Sequence, residues 1–384
     1  MFLTSREQRD FLAADRRDGI ALCLSGGGFR AALFHLGAVR RLYEIGALNQ
    51  LKTITSVSGG SQLAAHLAHT YHVWHDRSLE PPEWDRRIAA PFRAFTTRNF
   101  STWPVFKGWL LPWTNAGVEE LANRLRGRLQ IGDDVADLPA QPGFMFCATD
   151  LVAGDDWIFD AALDGEWDVA TAAAISSCHP VYFRPYTRTT PQKIALVDGG
   201  VDDDRGIEPV WRTHRTLLVS DGGDALRPQW GQSLFWSLFR SASVLWDRSQ
   251  VVQKRWLMSS FAAGQLEGAC WSIGGSPWNY RPVRAEPLGD PDPPFPGYSP
   301  ALARDVIATI RTDCDAFSDA EAAVLENHGY LMTEAAMRCA GIEGRVQAPV
   351  RIPHPAWLGE RRIREALRDS ARQRFFGRFR PAVY

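Results

Sequence analysis

Apolar residues in the first 220 positions fall into short strand-like runs separated by stretches of helical period. Residues 20–24 (IALCL) form an unbroken apolar run suited to a buried strand. From 29 to 48 the period becomes helical. At about 100° per residue, Arg30, Gly37, Arg40, Arg41 and Glu44 share one narrow arc, while Ala31, Phe34, Leu36, Val39, Leu42 and Ile45 fill most of the rest. That pattern predicts a helix covered on most sides. Residues 53–57 (TITSV) are β-branched and predict the next strand, 58–60 (Ser-Gly-Gly) a turn, and 61–74 a second helix. Residues 144–149 and 157–159 read as strands, and 169–177 as a small-residue helix that stops before His179-Pro180. Residues 194–197 and 216–219 are again apolar strands, each running directly into Asp-Gly-Gly.

The pattern weakens elsewhere. Residues 76–116 hold no long periodic segment, only a dense aromatic stretch (Phe100, Trp103, Phe106, Trp109, Trp113) broken by Pro104 and Pro112. A long helix is expected over 232–263. The eight prolines between 274 and 300 mark a loop, and Ser318-Asp-Ala-Glu321 is a capping box opening a helix to about 339. Strands alternating with helices predict an α/β fold: a three-layer α/β/α sandwich around a largely parallel sheet, with additional C-terminal helices. The expected organisation is a catalytic domain over 1–273 with an aromatic, lid-like insertion at 76–116, the proline-rich loop at 274–300, and a helical extension over 301–384 packed on that domain.

Composition narrows the function classes. The 384 residues carry 43 Lys or Arg against 44 Asp or Glu, a formal charge of −1, which argues against a nucleic-acid partner gripped by overall charge. Six scattered cysteines without a C-x-x-C predict reduced thiols in a cytoplasmic protein rather than a disulfide framework or zinc site. The charged N-terminus has no apolar stretch of signal type. The longest uncharged run, 53–75, is too rich in Ser, Thr, Gly and His to span a bilayer.

Chemistry concentrates in the first 60 residues. Gly26-Gly27-Gly28 lies between a strand and a helix, where backbone N–H groups and the helix N-terminus can hold an anion. Ser58 ends a strand and is followed by Gly59-Gly60 and a helix, the context of a nucleophile elbow, with Ser56 in place of the first glycine of G-x-S-x-G. A serine hydroxyl needs a base for its proton and fixed donors for the oxyanion that develops. Two aspartates compete as that base, Asp198 and Asp221, each at a strand end before Gly-Gly.

Through SGGGFRAALFHLGAVRRLYEIGAL, SVSGGS and ALVDGGVDDDRGIEPV, the sequence resembles the patatin-like phospholipases over roughly residues 18–222. The resemblance implies a patatin-like fold, Ser58 as nucleophile, Asp198 as its only side-chain partner, and the amides of Gly26, Gly27 and Gly28 as oxyanion hole. It places Arg30 where a basic residue usually follows the glycines, a candidate substrate contact. It implies a lipid acyl hydrolase, phospholipase A or lysophospholipase in type, acting through an acyl-enzyme without metal or cofactor. The partner expected is a phospholipid or other acyl-ester lipid. Asp204 stands where relatives often carry asparagine.

Other readings stay open at this stage. A soluble carboxylesterase or neutral-lipid lipase would use the same groups, and a silent lipid- or nucleotide-binding module would keep only the fold. Gly26 to Ala31 also fits G-x-G-x-x-A, but the second strand ends without the acid that a dinucleotide site needs. His66, His69, His72 and His75 spread around their helix rather than forming a metal site. Arg30 would serve equally as a salt-bridged helix residue. Segment 100–113 reads as a packed loop or a membrane-facing lid. The basic stretch 361–380, eight Arg against two acids, reads as a docked terminal helix or an amphipathic helix for a peripheral membrane contact. Oligomeric state is not legible.

Overall fold

Strand β1 (Ile20–Leu24) lies inside an eight-stranded sheet and sets its layering. Leu22 and Leu24 point into the larger core while Ala21 and Cys23 point into a smaller core on the opposite face, the alternation of a strand covered on both sides. The other strands are β2 (Leu51–Val57), β3 (Gly143–Asp150), β4 (Asp155–Phe159), β5 (Tyr186–Arg188), β6 (Ile194–Asp198), β7 (Thr216–Asp221) and β8 (Glu267–Ser272). Their order is β5-β6-β3-β2-β1-β7-β8, with β4 pairing β3 off this path. Strands β3, β2, β1, β7 and β8 run parallel; β4 and β6 are antiparallel to β3, and β5 to β6.

Helices α1 (Gly28–Glu44), α2 (Gly59–His69), α3 (Thr102–Leu110), α4 (Ala116–Leu129) and α5 (Val169–Ser176) follow in chain order, then α6 (Leu234–Ala262) and α7 (Asp319–Cys339). Side chains of α1, α2, α4, α5 and α7 build the larger core; Leu257 of α6 with Ile207 and Val210 covers the other face. The architecture is therefore a mixed α/β sandwich with a central, largely parallel sheet between helices. The computed structural model describes residues 17–75, 79–111, 114–162, 166–223, 231, 233–280, 295–342, 344–372, 374–375 and 378–379. The charged N-terminus, Pro112, Trp113, most of the proline-rich loop and parts of the basic tail lie outside the described residues.

Helix α7 opens on the Ser318–Glu321 capping box and lies directly on α1. A Cβ at Gly37 would stand 1.8 Å from the Glu326 carbonyl oxygen, and one at Gly329 1.8 Å from that of Phe34. The two backbones thus touch through paired glycines. The polar arc of α1 is buried by this contact: Arg41 Nε donates to Glu334 at 2.6 Å, and Arg40 Nε to Glu44 at 3.1 Å.

Several elements differ from the sequence reading. Segment 76–116 is mostly helical (Pro81–Trp84, Ala90–Thr96, α3), because Trp84, Phe92, Phe95 and Phe100 anchor it in the core. The short strands β5 and β8 have no clear periodic signal; β8 carries Gly268 and Ala269 between polar residues. Of the two readings of 361–380, the described residues favour the docked one at its start: among them only Glu360–Ala366 is α-helical, and Ile363 and Leu367 are buried in the core. Residues Arg374–Phe375 and Arg378–Phe379 instead pair as antiparallel strands. No helix among the described residues is long and apolar enough to cross a membrane.

Candidate active site

Ser58 caps the carboxyl end of β2 with φ 51° and ψ −118°, a left-handed conformation that costs a non-glycine residue strain and lifts its hydroxyl off the sheet. The following residue must be glycine, since a Cβ at Gly59 would lie 2.0 Å from the Gly28 carbonyl oxygen. A serine network holds the turn. Ser58 N–H donates to Ser176 Oγ at 3.0 Å, Ser177 Oγ donates to the Ser58 carbonyl at 3.0 Å, and Ser61 and Ser176 hydroxyls meet at 2.8 Å. Ser56 fits where a glycine was expected because its hydroxyl donates to the Met145 carbonyl at 3.1 Å and accepts from Ser61. Ser176 and Ser177 escaped the sequence reading; their only trace there is a pair of serines closing an alanine-rich helix.

The glycine loop lies against this turn, with a Cβ at Gly26 falling 3.3 Å from Ser58 Cβ. Gly27 and Gly28 have φ of 124° and 60°. The three amides are not equivalent. Gly26 N–H donates to the Asp204 carbonyl at 2.9 Å and so is spent. The N–H groups of Gly27, Gly28 and Gly59 find no acceptor among the described residues. They sit at the N-termini of α1 and α2, which meet here with their positive dipole ends together.

Arg30 requires a correction. It is fully buried, and its guanidinium donates to the carbonyls of Ala308 (2.9 Å), Ile310 (3.0 Å) and Gly222 (3.1 Å). It braces the glycine loop against neighbouring segments and does not face a substrate.

Sheet register puts both candidate aspartates level with Ser58, on opposite sides. Val57 pairs with Cys147 and Ala148 with Asp198, so Asp198 lies across β3 from the serine. Leu24 pairs with Ser56 and with Ser220, so Asp221 lies across β1. Surroundings separate them. Asp221 accepts from Arg205 at 3.2 Å and Lys254 at 3.0 Å. Burial pushes its carboxyl up, but those two cations outweigh it and hold the group far below the usual carboxylate range.

Asp198 has no such partner. Its Oδ1 accepts the Gly200 N–H at 2.9 Å, while Oδ2 is buried and accepts no hydrogen bond of good geometry. Burial raises its pKa; exposed His179, the Gly200 amide and the Ser58 hydroxyl pull the other way. The serine hydroxyl is thus close enough to favour the ionised carboxyl without bonding it closely.

Three of the other histidines are held by protein partners. Burial lowers His35 to about 4, and its ring nitrogens meet Ser220 Oγ at 2.8 Å and the Ser25 carbonyl at 3.0 Å. His66 contacts the Ile88 carbonyl, and His69 pairs with Asp133. Among the described residues no cluster of His, Cys, Asp or Glu could hold a metal ion.

Residues 22–211 match the family model described as patatin-like phospholipase. That span contains the three glycines, Ser58 and Asp198, and ends before Asp221. Among solved structures the chain is similar to VipD from Legionella pneumophila (14% identity, 85% of this chain and 67% of that one, TM-score 0.37). It is also similar to human GIVD cytosolic phospholipase A2 (13%, 96% and 65%, TM-score 0.38). A third likeness is to full-length ExoU in complex with SpcU from Pseudomonas aeruginosa (18%, 62% and 52%, TM-score 0.24). The chain spans about two thirds of the length of the first two and about half of the third. Comparison with curated proteins finds no match.

Proposed function

From the membership of this chain in the patatin-like phospholipase family, carried by residues 22–211, we propose that it hydrolyses acyl esters of lipids through Ser58 and Asp198. In the first step Ser58 Oγ attacks the ester carbonyl carbon and its proton passes to Asp198 Oδ2. The carbonyl oxygen becomes an oxyanion facing the N–H groups of Gly27 and Gly28. Removal of one such donor typically costs about 10²–10³ in rate. Collapse breaks the ester bond, and the leaving alkoxide takes the proton back from Asp198, leaving an acyl-enzyme on Ser58. Water then attacks the acyl carbon, Asp198 accepting its proton, and the second collapse releases fatty acid and restores the serine.

The observation that carries this reading is the buried, unpartnered Oδ2 of Asp198 beside the strained Ser58. A carboxyl whose pKa is raised by burial is a better base than one in water. Asp221, neutralised by two cations, has little basicity to offer.

A fluorophosphonate probe tests the nucleophile: it should label the wild-type chain and not Ser58→Ala. Absence of wild-type labelling would overturn the proposal in favour of a binding module. Hydrolysis of a panel of phospholipids, lysolipids and triglycerides by the unlabelled wild-type protein, with Ser58→Ala as control, assigns the ester class.

A further inference from the structure

Helix α6 is the crossover between β7 and β8, so it runs antiparallel to those strands. Only its second half packs on the sheet. From Leu234 to Ser249 none of its described side chains is buried, and the first buried residue is Gln250. Trp246 Nε1 donates to the Gly200 carbonyl, two residues beyond Asp198, which fixes the height of the helix relative to the dyad. The twelve residues before Trp246 therefore rise about 18 Å above the dyad edge at about 1.5 Å per residue. That is close to the depth of one leaflet of a hydrocarbon core about 30 Å thick.

This projecting arm is amphipathic. At about 100° per residue, Leu234, Leu238, Phe239, Ala242, Leu245 and Trp246 share an arc of about 140°, which Ser249 alone of the polar residues enters, at its lower end. Ser237, Arg240, Ser241, Ser243, Asp247 and Arg248 occupy the opposite side, which Trp236 and Val244 interrupt. The apolar arc continues the face that Gln250, Leu257 and Ser260 press onto the body lower down, but above Trp246 its leucines are left exposed by the described residues. Leu234, Leu238 and Leu245 are 77%, 65% and 73% exposed. Further apolar side chains, Leu151 and Val152 after β3 and Val181 and Tyr182 after His179, are exposed at the same end of the sheet.

We propose that residues 234–249 form an interfacial arm that sinks its apolar arc into an anionic lipid surface and holds the Ser58–Asp198 edge against it. The proposal rests on the lipid-hydrolase reading for the choice of occupant, because a lipid surface is what such a substrate brings to that edge. Charge agrees: Arg240 and Arg248 outnumber Asp247 on the polar side, the arrangement of helices that lie at anionic headgroups. Trp246, within the apolar arc at the dyad edge, suits the headgroup level.

The test uses the full chain and the double variant Leu238→Asp/Phe239→Asp, at positions 65% and 46% exposed, with a thermal melt to establish that the variant folds. Wild type should co-sediment with phosphatidylglycerol–phosphatidylcholine vesicles, and the variant should lose about tenfold or more of the bound fraction. Hydrolysis of vesicle lipid should fall in step, while hydrolysis of a short-chain ester in true solution stays unchanged. Equal vesicle binding by the two chains overturns the arm. So does a wild type that ignores vesicles but self-associates or captures a protein through this helix, with the variant monomeric. If wild type binds vesicles through the arm yet cleaves no ester, the arm stands and the hydrolase reading falls.

Discussion

Replacing Asp204 by asparagine should stabilise the protein at neutral pH and do nothing in acid. The carboxyl is buried where the glycine loop, the Asp198 turn and the Asp221 turn converge. Its Oδ1 would lie 2.4 Å from a Cβ at Gly26 and 2.8 Å from one at Gly200, and its Oδ2 2.8 Å from one at Gly223. Burial drives its pKa well up and nearby Asp221 adds to the rise; Arg205 opposes them, and Asp198 and Asp203 reinforce it. A carboxyl whose folded pKa exceeds its unfolded value supplies stability that is complete below the unfolded pKa, near 3.9, and lost as pH rises through the folded one.

An amide needs no proton, so Asp204→Asn is expected to be the more stable chain at neutral pH, by about 1–3 kcal/mol, the usual size of a buried polar group's desolvation penalty, and to match wild type below the unfolded pKa. Urea unfolding of both chains at about pH 4 and about pH 7 measures the difference. The reasoning fails if the variant is the less stable at neutral pH, or if the gap is the same at both. The first result would mean that Asp204 is a paired, ionised group, and the second that its pKa does not shift on folding.

The two candidate bases should part company on mutation. Asp198→Asn should melt close to wild type while turnover falls about 10²–10⁴-fold, whereas Asp221→Asn should cost roughly 2–3 kcal/mol by stranding Arg205 and Lys254. The stability owed to Asp221, whose pKa is depressed, is present above the unfolded value and lost as acid is added. At the α1–α7 crossing, Gly329→Ala should lower stability by about 1–3 kcal/mol or more in a thermal melt, since its Cβ meets a backbone carbonyl that cannot step aside. His179→Ala should move the acid limb of the pH–rate profile to higher pH, because a cation that favours ionised Asp198 is removed; an unmoved or lowered limb would exclude that role.

The elements of the site that are local in sequence were legible there. A strand, a run of small residues and a helix dictate a sharp turn, so Ser58 with Gly59-Gly60 and the loop Gly26-Gly27-Gly28 could be named before any coordinates. Backbone conformation depends on adjacent residues, and so does the steric demand for glycine beside a turn. Partner-dependent properties were not legible. Asp198 and Asp221 share the same Asp-Gly-Gly context and flank Ser58 symmetrically across the sheet. Only Arg205 and Lys254, brought in by the turn after β6 and by α6, make one an ion pair and leave the other free to take a proton.

Arg30 could be read from the sequence as a substrate contact or as a structural helix residue, and carbonyls 278 and 280 positions away decide for the second. Ile363 and Leu367 of the basic tail fit lipid on paper but fill the core in space, while the leucines of the first half of α6 are left exposed by the described residues. Periodicity states that a helix has an apolar face. Which surface covers that face is decided by elements distant along the chain, because burial and charge pairing are sums over neighbours that only the folded arrangement brings together.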